Sequence, residues 1–397
     1  MMAMTKHMAD DVLEHLDTNR EEMHWFLKNL VSFESPSKSP ESQIAILDFL
    51  QEELKELDFY TLRIPGKRTG GYLYARPRAR EKGKPLQLLI GHCDTVWEIN
   101  TLSKMPIRKG KKKMKGPGVY DMKAGLTQLI FALKAIRDKG LAMSLTPIVL
   151  INSDEEIGSV ESRSAIERLA KISDRAYIME PPLGLTGKLK TARKGLGRFT
   201  IKVKGRAAHA GLDIQKGANA IVELSHQVQK LYAMNNLKKG ITVNVGMIQG
   251  GVSPNVVAAE SSAVVDVRVL DQRSGQSITK SIYSLKPTLA DVELIVEGGM
   301  GRPPMERTKE NQMLWKLAKS KGALLGLNLE QATAGGASDG NTTSLYTATL
   351  DGLGTTGDGA HAEHEFVFLN ELPTRTALLT LLILAESVKG KKAEYGS

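Results

Sequence analysis

Carboxylates and histidines recur along this chain where a protein without bound cations would seldom place them. The apolar run Ile148, Val149, Leu150, Ile151 ends in Asp154, Glu155 and Glu156, with Gly158 close behind. A buried strand ending in three neighbouring acids is electrostatically costly. The bland account is a solvated loop opening a helix, whose positive end suits acids; the other is that cations sit opposite. His92 and Asp94 lie two apart at the end of another apolar run, so their side chains can share one side of a strand. Alone, such a pair is as often an oriented core histidine as a ligand. With Asp121, Glu156, Glu180 and one late histidine, the count reaches two nitrogen and three oxygen donors, leaving Asp94 to support His92. That exceeds a single four-coordinate zinc site. It suits two zinc ions sharing a bridging carboxylate, a pairing that activates water for hydrolysis with the ions roughly 3.5–4 Å apart.

Such groups need strands that end together. Residues 86–90 and 147–151 are nearly continuous in apolar residues, as in strands buried on both faces. Residues 72–75 read as a further strand, and 176–179 as one ending at Glu180-Pro181-Pro182. Helical spacing runs through 7–32, 44–57, 123–139 and 162–170, broken at Ser35-Pro36-Ser37 and at Gly140. Strands alternating with helices predict an open α/β sheet with ligands at the carboxyl ends of its strands. Successive strand ends or following turns then carry His92 with Asp94, Asp121, the acidic triplet and Glu180. From about 198 the pattern changes: alternating strands at 199–203, 241–247 and 263–269, a helix at 219–231 and an apolar run at 292–296. This β-α-β-β block reads as an inserted α+β domain, dividing the chain into 1–197 with 304–397, and 198–303. The α/β pattern returns with a helix at 311–321, glycine-rich loops at 335–341 and 352–364, and a final helix at 374–388.

Composition narrows the class. The 397 residues are 41% hydrophobic and 25% charged, as in a globular protein of more than one domain. The N-terminus carries Asp10, Asp11 and Glu14 and shows no secretory leader, and the longest apolar run, 377–385, falls short of the roughly 20 residues that span a bilayer. The single cysteine, Cys93, excludes an internal disulfide. These features predict a cytoplasmic protein without membrane attachment. The net charge of +10 admits an acidic substrate. Its one dense basic run, 108–115, has no interleaved aromatic residues to stack bases and reads as a solvated hairpin tip, which argues against nucleic acid.

The segments GHCDTVW (91–97), GPGVYDMKAG (116–125), SDEEIGS (153–159), MEP (179–181), GRAAHAG (205–211) and GAHAEHEFV (359–367) resemble, in order and over nearly the whole chain, the M20 metallopeptidases. The nearest branch is the glutamate carboxypeptidase, carboxypeptidase G2-like, group. The resemblance implies a zinc-peptidase-like catalytic domain, a mixed central sheet flanked by helices, with an inserted ferredoxin-like α+β domain serving as lid and homodimer contact. It places one zinc among His92, Asp121 and Glu180 and a second among Asp121, Glu156 and His361, with cobalt or manganese as alternatives. Asp94 would orient His92, and Glu155 would be the general base that moves a proton from the attacking water to the leaving amine. A cis peptide after Asp121 is also implied. Glutamate at 180 is the carboxypeptidase and deacylase form; aminopeptidases of the family tend to carry aspartate.

His209, otherwise readable as a structural histidine in a turn, is implied to reach the partner subunit's site and stabilise the oxyanion. Asn255, Arg268 and Arg302 match positions that hold substrate carboxylates, and a guanidinium suits bidentate capture. A salt bridge between Arg268 and Asp266 is the simpler account of that arginine. Gly336 and Ser338 lie in a glycine-rich segment resembling the family's substrate loop, whose backbone could approach a ligand closely. The same residues formally match a G-x-S-x-G nucleophile elbow, with Asp358 and His361 downstream. However, 331–334 makes a poor strand to launch an elbow, and the carboxylates would be left unexplained. His361-Ala362-Glu363-His364 is not the single-zinc His-Glu-x-x-His helix motif, so His364 reads as a bystander. Cys93 is either oxidation-sensitive or simply buried, and Asp154 reads as structural. The expectation is therefore a di-zinc hydrolase that cleaves a small peptide or N-acyl amino acid beside a free carboxylate, glutamate being the leading released residue. An acetylornithine deacetylase-like deacylase is the neighbouring alternative. A silent binding protein would be expected to have lost Glu155 or a ligand, and none is missing.

Overall fold

The computed structural model describes residues 5–387 and divides them into two units. In the first unit, which runs to Thr191 and resumes at 307–333 and from Ser338, the core is a six-stranded mixed sheet. Leu86–His92 lies in parallel between Thr146–Asn152 and Ser173–Ile178, with Ala348–Leu350 parallel beyond the latter. Tyr72–Pro77 and Phe59–Ile64 add an antiparallel edge. All seven residues of Thr146–Asn152 are buried, because the sheet is covered on both faces and every side chain needs an apolar neighbour. Alternation sorts them: Leu89, Val149 and Ile151 pack into the larger core, and Leu88, Ile90, Ile148 and Leu150 into the opposite one. Ala124–Asp138 and Leu372–Leu384 cover the larger core side; the latter is apolar nearly all round and buries every residue but Thr374. The final helix thus ends before the sequence reading placed it, and Val388 lies outside the described residues. The anticipated stretch 7–32 is two helices, Lys6–Thr18 and Arg20–Ser32, meeting at Asn19.

The parallel registers bring His92 level with Asn152, so the two central strands deliver their C-terminal segments side by side. The basic run does form a hairpin, Arg108–Lys109 with Lys113–Lys115. It extends through Phe366–Phe368 to Gly357–Asp358, and Lys113 packs its ammonium 3.6 Å from the Phe366 ring centroid.

The second unit, Ala192–Glu306 with Ala334–Ala337, holds a four-stranded antiparallel sheet ordered Thr242–Gly250, Glu260–Val269, Gly195–Lys204, Glu293–Arg302. With helices Ala220–Ala233 and Gln272–Tyr283 its sequence order is β-α-β-β-α-β, the ferredoxin-like arrangement. The second helix escaped the sequence reading, since only Gly275, Ile278 and Ile282 of its twelve residues are buried. The division falls at 192 and 306, outside the anticipated 198 and 303: Gly195 begins the first strand ahead of the visible alternation, and Arg193 and Met305 exchange backbone hydrogen bonds. Residues 331–334, read as a poor strand, do pair with Leu189–Arg193. Among the described residues no helix is long and apolar enough to cross a membrane.

Candidate metal centre

His92 ends its strand with its ring fixed from behind. Its Nδ1 lies 3.0 Å from the Asp94 carbonyl oxygen and 3.4 Å from Asp94 Oδ1, which turns Nε2 toward Asp121 Oδ1 at 3.3 Å and Glu180 Oε1 at 3.5 Å. His361 approaches from the far side: its Nε2 is 3.1 Å from Glu156 Oε2 and 3.5 Å from Asp121 Oδ2. Two triads result, His92–Asp121–Glu180 and Asp121–Glu156–His361, each with ligand atoms within 4.8 Å of one another. Asp121 belongs to both, presenting one oxygen to each histidine. Its peptide bond to Met122 is cis.

The charge balance fits cations. Burial opposes a charge on His92, yet the carboxylates of Asp121, Asp94 and Glu180 outweigh it and hold the imidazole well above its ordinary range. Asp121 and Glu156 push His361 up to about 10. Glu156 is raised by burial. Asp121, despite burial and the Glu180 charge, is lowered by the two histidines. The same carboxylates that favour positive charge on the imidazoles would favour a metal ion between them. Among the described residues, moreover, the buried His92 Nε2 and Asp121 Oδ1 have no hydrogen-bond partner and face each other across 3.3 Å as two ligand atoms of one cation would. The residues fit a pair of metal ions.

The surrounding loops are fixed by named contacts. Asp94 is 1% exposed and accepts from the Ser37 hydroxyl at 2.7 Å and from the amides of Glu155 and Glu156 at 3.2 Å each. One carboxylate therefore orients His92 and seats the Glu155–Glu156 turn. Asp154 faces away, accepting from the amides of Glu161 and Ser162 and the Ser162 hydroxyl, the structural part the sequence reading assigned it. Cys93 is buried, and burial with the Asp94 charge pushes its thiol far up, which makes it inert. His361 sits at φ +61, a strained backbone for a side chain of its kind and one kept where geometry matters. Two groups near this site escaped the sequence reading. Glu365, fully buried, accepts from the amides of Gly118, Tyr120 and Asp121 and from the Trp97 indole. Lys190, also buried, places its ammonium 3.7 Å from Glu180 Oε2. The only sequence signal for Glu365 was an acid four residues beyond His361, ahead of an alternating strand.

In the second unit, His209 and Asn255 are neighbours: the Ala210 amide donates to the Asn255 carbonyl, and His209 bridges Val256. His209 Nδ1 accepts from the Gly211 amide at 3.1 Å, so the ring proton resides on the exposed Nε2. Arg268 does pair with Asp266, at 2.9 Å, and also donates to the Gly335 carbonyl at 2.8 Å. Arg302 is buried, 6% exposed, at the end of its strand. The Gly336 carbonyl accepts from Arg193. Ser338 departs from its anticipated place toward substrate. It is fully buried, caps the short helix Asp339–Thr343, donates to Asp351 Oδ2 at 2.6 Å and accepts from the Gly340 amide, so both hydroxyl functions are consumed. The nucleophile-elbow alternative falls with it.

Residues 191–286 match the M20 peptidase dimerisation domain. Carboxypeptidase G2 of Pseudomonas sp. (strain RS-16) is 30% identical over 369 residues, 90% of this chain and 88% of that one. The crystal structure of aminopeptidase PepT from Bacillus cereus superposes with a TM-score of 0.78 at 20% identity, covering 92% of this chain and 98% of the other. The YXEP protein of Bacillus subtilis, a dinuclear metal-binding peptidase of the M20 family, does so at 0.69 and 14%, covering 93% and 98%. At those identities the two structures testify to the fold. The sustained identity to a carboxypeptidase, the dimerisation domain and the paired ligand triads converge, and the chain, a hydrolase, belongs to the M20 family of metallopeptidases.

Proposed function

We propose that the protein is a di-zinc carboxypeptidase that cleaves an amide beside a free α-carboxylate and releases the C-terminal amino acid, glutamate before others. The observation that carries this is the sharing of Asp121 between two ligand triads. His92, Asp121 and Glu180 would hold one ion and Asp121, Glu156 and His361 the other; bound there, zinc supplies Lewis-acid activation of water and of the scissile carbonyl. Glu155 adjoins a ligand without belonging to either triad, is 9% exposed, and is seated through its amide by Asp94. In this reading it accepts the proton of the attacking water and returns it to the leaving nitrogen. His209, with its proton on Nε2, donates to the developing oxyanion from the partner subunit of a homodimer. Arg268 binds the substrate carboxylate with the donor capacity that Asp266 and Gly335 leave over, assisted by Asn255 and Arg302. The net charge of +10 favours an acidic leaving residue.

A panel of short peptides and N-acyl amino acids with purified, zinc-replete protein tests the reading, alongside metal analysis. Two zinc ions per chain and release of C-terminal glutamate are expected, with at least tenfold lower kcat/KM for the same substrates blocked as C-terminal amides. Fewer than one tightly bound metal per chain would sink it. Preference for acetylornithine over every peptide would move the protein to the deacylases on the same machinery.

A further inference from the structure

We infer that Glu365 is a positioning residue that sets the geometry of the bridging ligand Asp121 and thereby the affinity of both metal positions. Its carboxylate is fully buried and accepts four hydrogen bonds, two on each oxygen. Oε1 takes the amides of Tyr120 at 2.8 Å and Asp121 at 3.0 Å; Oε2 takes the amide of Gly118 at 2.8 Å and Trp97 Nε1 at 3.0 Å. An ionised carboxylate has about four acceptor positions and no donor, so this cradle of four N–H groups saturates it and fixes its plane. The backbone that carries Asp121 cannot rotate without breaking two of those bonds.

The cradle also ties together three segments that bear ligands. Trp97 lies on the chain leaving His92. Gly118 to Asp121 is the turn that presents the bridging carboxylate. Glu365 itself closes the loop that begins at His361, where Gly359, at φ +84, lets the backbone pass: a Cβ there would stand 2.9 Å from Glu365 backbone atoms. The following strand, Phe366–Phe368, pairs with Lys113–Lys115, which leads into the Asp121 turn, so the two loops are fastened by backbone as well. A residue that reached only one ligand would alter one metal. This one reaches the shared ligand, and its loss should be felt by both. The carboxylate-to-carboxamide replacement Glu365→Gln is nearly isosteric but turns one acceptor into a donor facing N–H groups, which forces the Asp121 turn to shift.

The inference rests on the di-zinc reading, and the experiment separates the two. Full-length protein is stripped with chelator and titrated with zinc by competition against a chromogenic chelator, and the cobalt-loaded form is recorded in the visible region. Wild type must bind two ions; if it binds none, the di-zinc reading fails before Glu365 is at issue. In Glu365→Gln with wild-type circular dichroism, both zinc affinities should fall by about 10- to 100-fold, the range for partners that orient metal ligands. The cobalt absorption should change in intensity and position, which a loss of stability alone would not produce. Two ions held within twofold of wild-type affinity with an unchanged cobalt spectrum overturn the inference. Should Glu365→Gln not fold, Trp97→Phe decides, since it removes one of the four donors from the edge of the cradle. A loss of about threefold or more in zinc affinity upholds the anchor, and wild-type affinity refutes it.

Discussion

At the scale of single residues, adjacent side chains on one turn are given different work by what surrounds them. Glu156 points into a triad with His361, Asp154 points back into the Glu161–Ser162 amides, and Glu155 is left between, seated by Asp94. Glu155→Gln keeps the shape and removes only the proton-accepting function. It should retain both zinc ions and its melting temperature while kcat falls by roughly 10²–10⁴-fold, the usual range for a general base. Full activity in a metal-replete variant would contradict the assignment. His361 supplies a second expectation. The Asp121 and Glu156 charges raise it to about 10, above the ordinary value of about 6.5. A raised folded-state value stabilises the metal-free protein fully below about pH 6.5 and loses that contribution as pH climbs toward 10. Zinc competes with the same proton. The gain in melting temperature on adding zinc to chelator-stripped protein should therefore grow between pH 6.5 and 9, and His361→Ala should flatten the trend. Scanning fluorimetry across that range reads both.

At the scale of elements, the site is a consequence of parallel strands ending at one edge. The strands were legible because burial on both faces demands apolar runs, and a run that stops in acid is visible without any structure: Leu86–His92 and Thr146–Asn152 announce themselves. What stayed hidden had its partners elsewhere. Glu365 is held by amides 244 to 247 residues away, and backbone amides carry no residue signature. The helix Gln272–Tyr283 shows too narrow an apolar stripe to read, although Asp271 capping Ser274 was a usable start signal. Ser338 illustrates the opposite error, where a glycine-rich setting suggested ligand contact and the serine is instead a cap. Ser338→Ala removes the bonds to Asp351 and Gly340 and should cost about 0.5–2 kcal/mol of unfolding free energy. Denaturant melts should register that loss while KM stays at the wild-type value; a KM raised tenfold without loss of stability would restore Ser338 to the substrate side.

At the scale of the whole molecule, the first unit carries both candidate metal-binding triads, and the second unit carries His209 and Arg268 on the domain that matches the dimerisation module. That second unit exposes Tyr232 on its helix Ala220–Ala233, and Met247 and Ile248 on opposite faces of the edge strand Thr242–Gly250, a strand edge of the kind that a second copy can cover. In the proposed reading a twofold dimer would give each active site one histidine from the neighbouring chain, and this is testable without a structure of the pair. Glu155→Gln and His209→Ala should each be inactive as homodimers. If His209 acts across the interface, a mixed dimer contains one site with Glu155 of one chain and His209 of the other, both intact, beside one site lacking both. Random re-association of equal amounts should then restore about a quarter of wild-type activity, since half the dimers are mixed and half their sites are whole. If His209 serves its own chain, every site in the mixture lacks one group and activity stays at the level of the separate variants. Size-exclusion chromatography with light scattering shows whether dimers are present to be mixed, and a monomeric, fully active enzyme would remove the premise.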